Sequence, residues 1–123
     1  MTAPPDFLYW YRARCLRVVD GDTIDVLTDL GFRIGWEQRV RLYGVDTYEL
    51  NDPDPTRRAL AVEGKAYVAA TVEGKDLILN TFKDRGDKYG RWLAVVRYLM
   101  EDGAWFNLND ELLEAGLAVS AKY

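Results

Sequence analysis

At 123 residues the chain reads as one domain over residues 1–123, of a size that buries very roughly two-thirds of its unfolded surface. Hydrophobic content of 49% beside 29% charged residues argues against disorder, and no apolar run approaches the ~18 residues of a membrane-spanning helix. Histidine is absent and cysteine occurs once, which excludes Ser-His-Asp and Cys-His catalysis, histidine-ligated zinc and an internal disulfide.

Acid–base chemistry is thereby left to Asp, Glu, Lys or Tyr, and any metal is expected to be a hard ion with oxygen ligands. The net charge of −4 argues against coating nucleic acid by bulk electrostatics, so binding would need a local basic patch and would be sensitive to salt. No basic, apolar leader opens the chain, and a lone Cys15 within an apolar run suits a core thiol in a reducing compartment. A cytoplasmic location is the expectation, with secretion of a trimmed form left open. A monomer is expected, and the N-terminal cluster of Phe7, Leu8, Tyr9 and Trp10 is the candidate contact surface.

In chain order, Pro4 and Pro5 make residues 1–7 a flexible arm. Residues 8–19 mix aromatic and β-branched side chains with arginines and read as a strand. Asp20, Gly21 and Asp22 form a turn, with Gly21 expected to take the positive-φ position, and residues 23–30 alternate as a second strand. Residues 32–36 connect to a third strand over 38–43, where Arg39 and Arg41 share one face and Val40 and Leu42 the other. Gly44 permits a sharp bend, followed by Asp46, Thr47 and Glu49.

Residues 51–57, with two prolines among acidic and amide turn-formers, read as a loop. A helix is expected over 57–73, with Leu60, Gly64, Tyr67, Val68 and Thr71 on one stripe and Gly74 as its stop. Strands follow over 76–82 and 91–99, then a helix over 108–115 with Asn107 as N-cap. The predicted fold is α+β and mainly β: a five-stranded OB-type barrel with one helix between strands 3 and 4 and one after strand 5.

Three features bear on chemistry. The acidic turn at Asp20 to Asp22 fails the helix–loop–helix calcium pattern, because Asp25 stands where that pattern wants glycine and strands flank it. Residues 38–50 place a guanidinium on a rigid strand beside carboxylates on an exposed turn, a pairing suited to gripping phosphate and holding a cation. Residues 83–91 carry Lys83, Arg85, Lys88 and Arg91 against Asp84 and Asp87, with Tyr89 offering a stacking face.

The order of these blocks closely resembles the staphylococcal-nuclease-like (thermonuclease) family. The blocks are Val19-Asp20-Gly21-Asp22-Thr23, Val40-Arg41-Leu42, Val45-Asp46-Thr47-Tyr48-Glu49 and Asp87-Lys88-Tyr89-Gly90-Arg91-Trp92-Leu93-Ala94. Residues 109–118 resemble the helix that follows in the family. The resemblance runs from about Arg14 to Ala118 and implies an OB barrel with helices. It implies Ca2+ ligation by Asp22, Asp46 and the Thr47 backbone carbonyl, with Asp20 as a nearby acid. Glu49 would be the general base for water, Arg41 and Arg91 the phosphate-gripping pair, and Lys88 and Tyr89 contacts to a terminal phosphate or neighbouring nucleotide.

The implied activity is calcium-dependent, sugar-nonspecific hydrolysis of DNA and RNA to 3′-phosphate ends, with single-stranded substrate favoured. Two departures stand out. Tyr48 replaces the family's usual proline before the glutamate, so a slower enzyme is expected. The sequence ends at Ala121-Lys122-Tyr123, where members often continue with pocket tyrosines, so thinner base stacking is expected. The competing readings are a catalytically silent nuclease-like module binding nucleic acid or peptide, and a general oligonucleotide-binding OB protein.

Overall fold

Two bulges set the face of the first strand. In β1 (Trp10–Asp20), Ala13 and Cys15 point into the core, the register slips between Cys15 and Arg17, and Val18 then takes the inward position. β1 pairs antiparallel with β2 (Thr23–Asp29), which pairs with β3 (Gly35–Leu42). The structure is a computed structural model and describes residues 9–83 and 91–121. The arm expected at 1–7, and Lys88 and Tyr89 with most of their basic loop, lie outside the described residues.

β4 (Val45–Thr47) and α1 (Pro55–Val72) come next, followed by β5 (Asp76–Lys83), β6 (Trp92–Leu99), β7 (Trp105–Asn107), α2 (Leu108–Glu114) and β8 (Ala118–Ser120). The main sheet runs β3-β2-β1-β5-β6-β7, and parallel pairing of β3 with β6 closes β1, β2, β3, β5 and β6 into a five-stranded barrel. This is the predicted OB-type barrel, with α1 between the third and fourth barrel strands and α2 after the fifth. Its interior is filled by Ile24, Val26, Leu42, Leu77, Leu79 and Val96, with Leu108 and Leu112 of α2 and Val68 and Val72 of α1 packed against them.

The differences from the sequence reading are local. β3 begins at Gly35 rather than 38, because residues 35–37 pair fully with β2 although they bury little. α1 begins at Pro55 within the expected loop. Asp54 is its N-cap, accepting from the Thr56 amide at 2.8 Å, and Pro55 occupies the first turn, where its missing N–H costs nothing. Three short strands, β4, β7 and β8, were not expected; the first and last form a separate two-stranded sheet. Cys15 is fully buried as expected, and burial, then the negative charge of Glu73, pushes its thiol up to about 11.

Two polar devices hold the barrel to its helices. Glu111 accepts the Tyr67 hydroxyl at 2.7 Å and the Tyr98 hydroxyl at 2.5 and 2.7 Å, tying α2 to α1 and β6. The bond to Glu111, with burial, pushes Tyr67 up to about 12, and burial, with the same carboxylate, raises Tyr98 also. Asn109 is the second. Its Oδ1 accepts the Val96 amide at 3.0 Å, and its Nδ2 donates to Tyr43 O at 2.8 Å and Ala94 O at 3.1 Å. A third polar group, Asp25, is buried on the outer side of β2 beneath two arginines. Arg39 Nε and Arg17 Nε reach its oxygens at 2.8 and 2.7 Å, and Arg17 also meets Glu37 at 2.6 Å.

Asn109→Ala strips partners from three backbone groups, and is expected to cost about 3 kcal/mol in urea unfolding. Hydrogen bonding from Arg39 holds the Asp25 carboxyl below its ordinary 3.8, against the opposing effect of burial. A depressed carboxyl stabilises the fold above its unfolded value and loses that contribution as pH falls through the folded value. Asp25→Asn is therefore expected to destabilise by about 1–2 kcal/mol at pH 7, discounted for the exposed arginines, with the gap closing as melts are taken below pH 3.8.

Candidate active site

The β1–β2 turn is where the acidic residues meet the rest of the molecule. Asp20 pairs with Thr23, leaving Gly21 and Asp22 as the loop. Gly21 is not at positive φ, contrary to the sequence expectation; it is required for space. A Cβ there would lie 3.0 Å from Thr47 Cγ2 and 3.4 Å from the Gly64 carbonyl carbon, so the bare turn lets β4 and α1 close on it. Gly44, by contrast, takes the expected left-handed bend at φ 78° between β3 and β4.

This close approach brings distant segments together. Asp22 Oδ2 accepts the Thr47 amide at 3.2 Å, its Oδ1 accepts the Thr23 hydroxyl at 3.0 Å, and its carbonyl accepts the Leu42 amide at 2.8 Å. Pairing with β8 fixes β4 from the other side: Asp46 faces Val119 and Thr47 faces Ala118, while the Ala121 amide donates to Gly44 O at 3.0 Å. Arg41, opposite Thr23 on β2 and Leu93 on β6, reaches Asp46 Oδ1 with its guanidinium at 2.9 Å. Arg41 is half-buried and Asp46 exposed.

Arg91 lies on the segment that enters β6, one residue before Trp92, the register partner of Val40. Arg41 on β3 and Arg91 just before its parallel neighbour β6 therefore lie at the same seam of the barrel. Glu49 follows β4 on an exposed turn whose carbonyl accepts the Asp52 amide at 3.1 Å, and Tyr48 before it is half-buried. Lys88 and Tyr89 lie outside the described residues.

Burial, then the charge of Asp22, raises the Asp20 carboxyl above its ordinary 3.8, with Lys65 and Arg39 opposing. Two carboxylates at one turn repel unless a cation shares the charge, and an all-oxygen donor set suits a hard divalent ion. Among the described residues no three His, Cys, Asp or Glu side chains gather closely enough to hold a metal. Asp22, bonded across to Thr47, and Asp46, paired with Arg41, are the carboxylates carried to this end of the barrel by the β1–β2 turn and β4, and a cation held there would need carbonyl and water oxygens beside them. Asp22 has lone pairs to spare for this, since its two bonds use only part of a carboxylate's capacity.

Sequence reasoning missed two contributors. The charge of Lys65 acts on Asp20, opposing the rise of its carboxyl, and Gly64 beside it sits against the turn. Only the presence of Gly64 on the helical stripe could have hinted at that approach. β8 pairs with Asp46 and Thr47 and, at three residues, is too short to signal a strand in the sequence.

Comparison with known proteins agrees with this fold. A family described as Staphylococcal nuclease homologue matches residues 39–123. The chain is 31% identical over 113 residues to a Thermonuclease of Staphylococcus hyicus, an alignment covering 89% of this chain and 59% of that protein. It is 33% identical over 102 residues to a Thermonuclease of Staphylococcus intermedius, covering 83% of this chain and 52% of that protein. The chain thus spans little more than half the length of these curated relatives. With the barrel closed as the signature blocks required and the match covering most of the sequence, the chain belongs to the staphylococcal nuclease family.

Proposed function

We propose that the protein is a calcium-dependent, sugar-nonspecific nuclease that hydrolyses DNA and RNA to 3′-phosphate ends and prefers single-stranded substrate. The observation that carries this reading is the meeting of Asp22 with Thr47 across 25 residues of sequence, beside the Arg41–Asp46 pair. It brings carboxylate oxygens and a guanidinium to one end of the barrel, groups suited to a cation and to phosphate. The likeness to two thermonucleases supports the same chemistry.

In this reading Asp22, Asp46 and the Thr47 carbonyl hold Ca2+. When bound, the ion supplies Lewis acidity at the phosphoryl group and neutralises charge developing on its oxygens. Glu49, exposed on its turn, takes the proton from the attacking water. Arg41 and Arg91 donate to the non-bridging oxygens as negative charge grows there. Arg41 exchanges Asp46 for phosphate when substrate enters, a swap between two oxyanion partners of similar geometry. Lys88 and Tyr89 are the proposed contacts to the neighbouring phosphate and nucleotide.

Digestion of single-stranded DNA and RNA with added calcium, and again with a chelator, tests the reading. Cleavage is expected only with calcium, and folded protein inert in both conditions would leave the silent binding module in its place. Arg41→Ala and Arg91→Ala are each expected to lower kcat by about 10²–10³-fold and Glu49→Gln by about 10²–10⁴-fold, read in single-turnover assays. Tyr48→Pro fixes φ on the turn that aims Glu49, and is expected to raise kcat about three- to ten-fold. No gain in that variant would show that Tyr48 does not limit the turn.

A further inference from the structure

The outer face of the sheet, at the end of the β2–β3 hairpin away from the acidic turn, carries features that the catalytic reading does not use. Strand alternation puts Trp10, Arg12 and Arg14 of β1 outward, level with Asn80, Ile78 and Asp76 of β5, and with Leu27 and Asp29 of β2. The hairpin tip borders an open groove on this face, of about 670 Å³, whose lining includes Arg12, Arg33, Leu27, Ile34, Leu99 and Trp105.

The tip is held in an unfavourable conformation. Gly31, Phe32 and Arg33 are consecutive left-handed residues, at φ 79°, 54° and 62°, and two of them are not glycine. The result displays Phe32 at 96% exposure beside Ile34 and Trp36 at 55% each. So much apolar and aromatic surface at one end of an acidic, charged domain marks a contact site.

Charge selects the occupant. Arg14 is paired with Asp76 at 3.1 Å, and the Asp29 carboxylate caps the Gly31 amide at 2.8 Å. Arg12 and Arg33 make no ion pair among the described residues. On the same face the Arg97 guanidinium lies 4.8 Å over the Trp10 ring, with its buried Nη1 lacking a hydrogen-bond partner among the described residues. Guanidiniums take phosphate oxygens bidentately, and Trp105, exposed in the groove lining, offers a flat face on which a base stacks. The groove lining carries three arginines, Arg12, Arg14 and Arg33, against two carboxylates, Asp29 and Asp76, and in a protein of net charge −4 that locally positive balance favours a polyanion over a second copy of the same acidic chain.

We propose that this groove is a second binding site for single-stranded nucleic acid, holding the strand while its scissile phosphate lies at the acidic turn. The proposal rests on the nuclease reading for that last clause only. β2 connects the two places: four to six residues from Thr23 to Leu27 and Asp29 span roughly 13–20 Å at about 3.3 Å each. A single strand several nucleotides long would be engaged at both ends, whereas a one-nucleotide diester would reach only the turn.

The test uses the full chain, a fluorescent single-stranded thymidine oligonucleotide and a chelator, so that binding is read without cleavage. Arg12→Glu with Arg33→Glu is expected to weaken binding at least ten-fold and to reduce the slope of log affinity against log salt by about 2. Trp105→Ala is expected to weaken binding by about five- to ten-fold. If the charge-reversed protein melts below the parent, Arg12→Gln with Arg33→Gln is used, with the slope as readout.

With calcium, the variants are expected to show a raised KM on the long strand and unchanged turnover of a chromogenic mononucleotide diester. Parental affinity and slope in a folded variant would overturn the proposal, as would a parallel loss on the short diester. So would sedimentation showing that the parent self-associates through Phe32 instead of binding the oligonucleotide. A parent that binds but never cleaves would sink the nuclease reading and leave the groove standing.

Discussion

Barrel closure and the acidic site depend on the same seam. Where β3 meets β6 the strands pair over only Val40 to Leu42, and the chain then bends at Gly44. Beyond that short ladder, Asn109 puts one carboxamide against Tyr43 O, Ala94 O and Val96 N. Buried backbone groups must be paired, so a single side chain from α2 fixes where the barrel closes and where the bend begins. The direction in which β4 leaves that bend decides whether Asp46 and Thr47 reach the β1–β2 turn. α2 therefore positions a site to which it contributes no chemical group.

The same end of the molecule is crowded on purpose. Gly21 lets Thr47 and α1 approach the turn so closely that a methyl group would force a shift, and the outcome is Asp22 bonded across to β4. The crowding carries an electrostatic cost that appears in the raised Asp20 carboxyl, partly offset by Lys65 and Arg39. On the outer side of β2 the opposite logic holds. Asp25 is buried beneath Arg39 and Arg17, both of which are bonded to it. Two arginines that look equivalent on β3 are thereby divided, Arg39 to Asp25 on β2 and Arg41 to Asp46 on β4.

The barrel strands were legible because each carries an inward alternation long enough to read: Ile24 and Val26, Val40 and Leu42, Leu77 and Leu79. Both helices were legible from spacing and caps, with Asn107 accepting the Asp110 amide as expected. The short strands were not, since three residues carry no measurable period and β4 and β8 exist only because they pair with each other. The start of α1 was misread because proline was taken as a loop signal where it served as the first helical turn.

By itself the sequence determined the family, the barrel with its two helices, and the kinds of chemistry open to a chain with no histidine and one cysteine. Those follow from periodicity, motif order and residue type, which are local properties. Tertiary structure alone decided that Gly21 is there for contact, that Arg39 serves Asp25, and that β8 and Asn109 hold the acidic turn. It also decided that Arg12 and Arg33 share a groove with Trp105. Those are meetings between residues far apart in the chain, decided by how twisted strands close on one another and by which buried polar groups must find partners there.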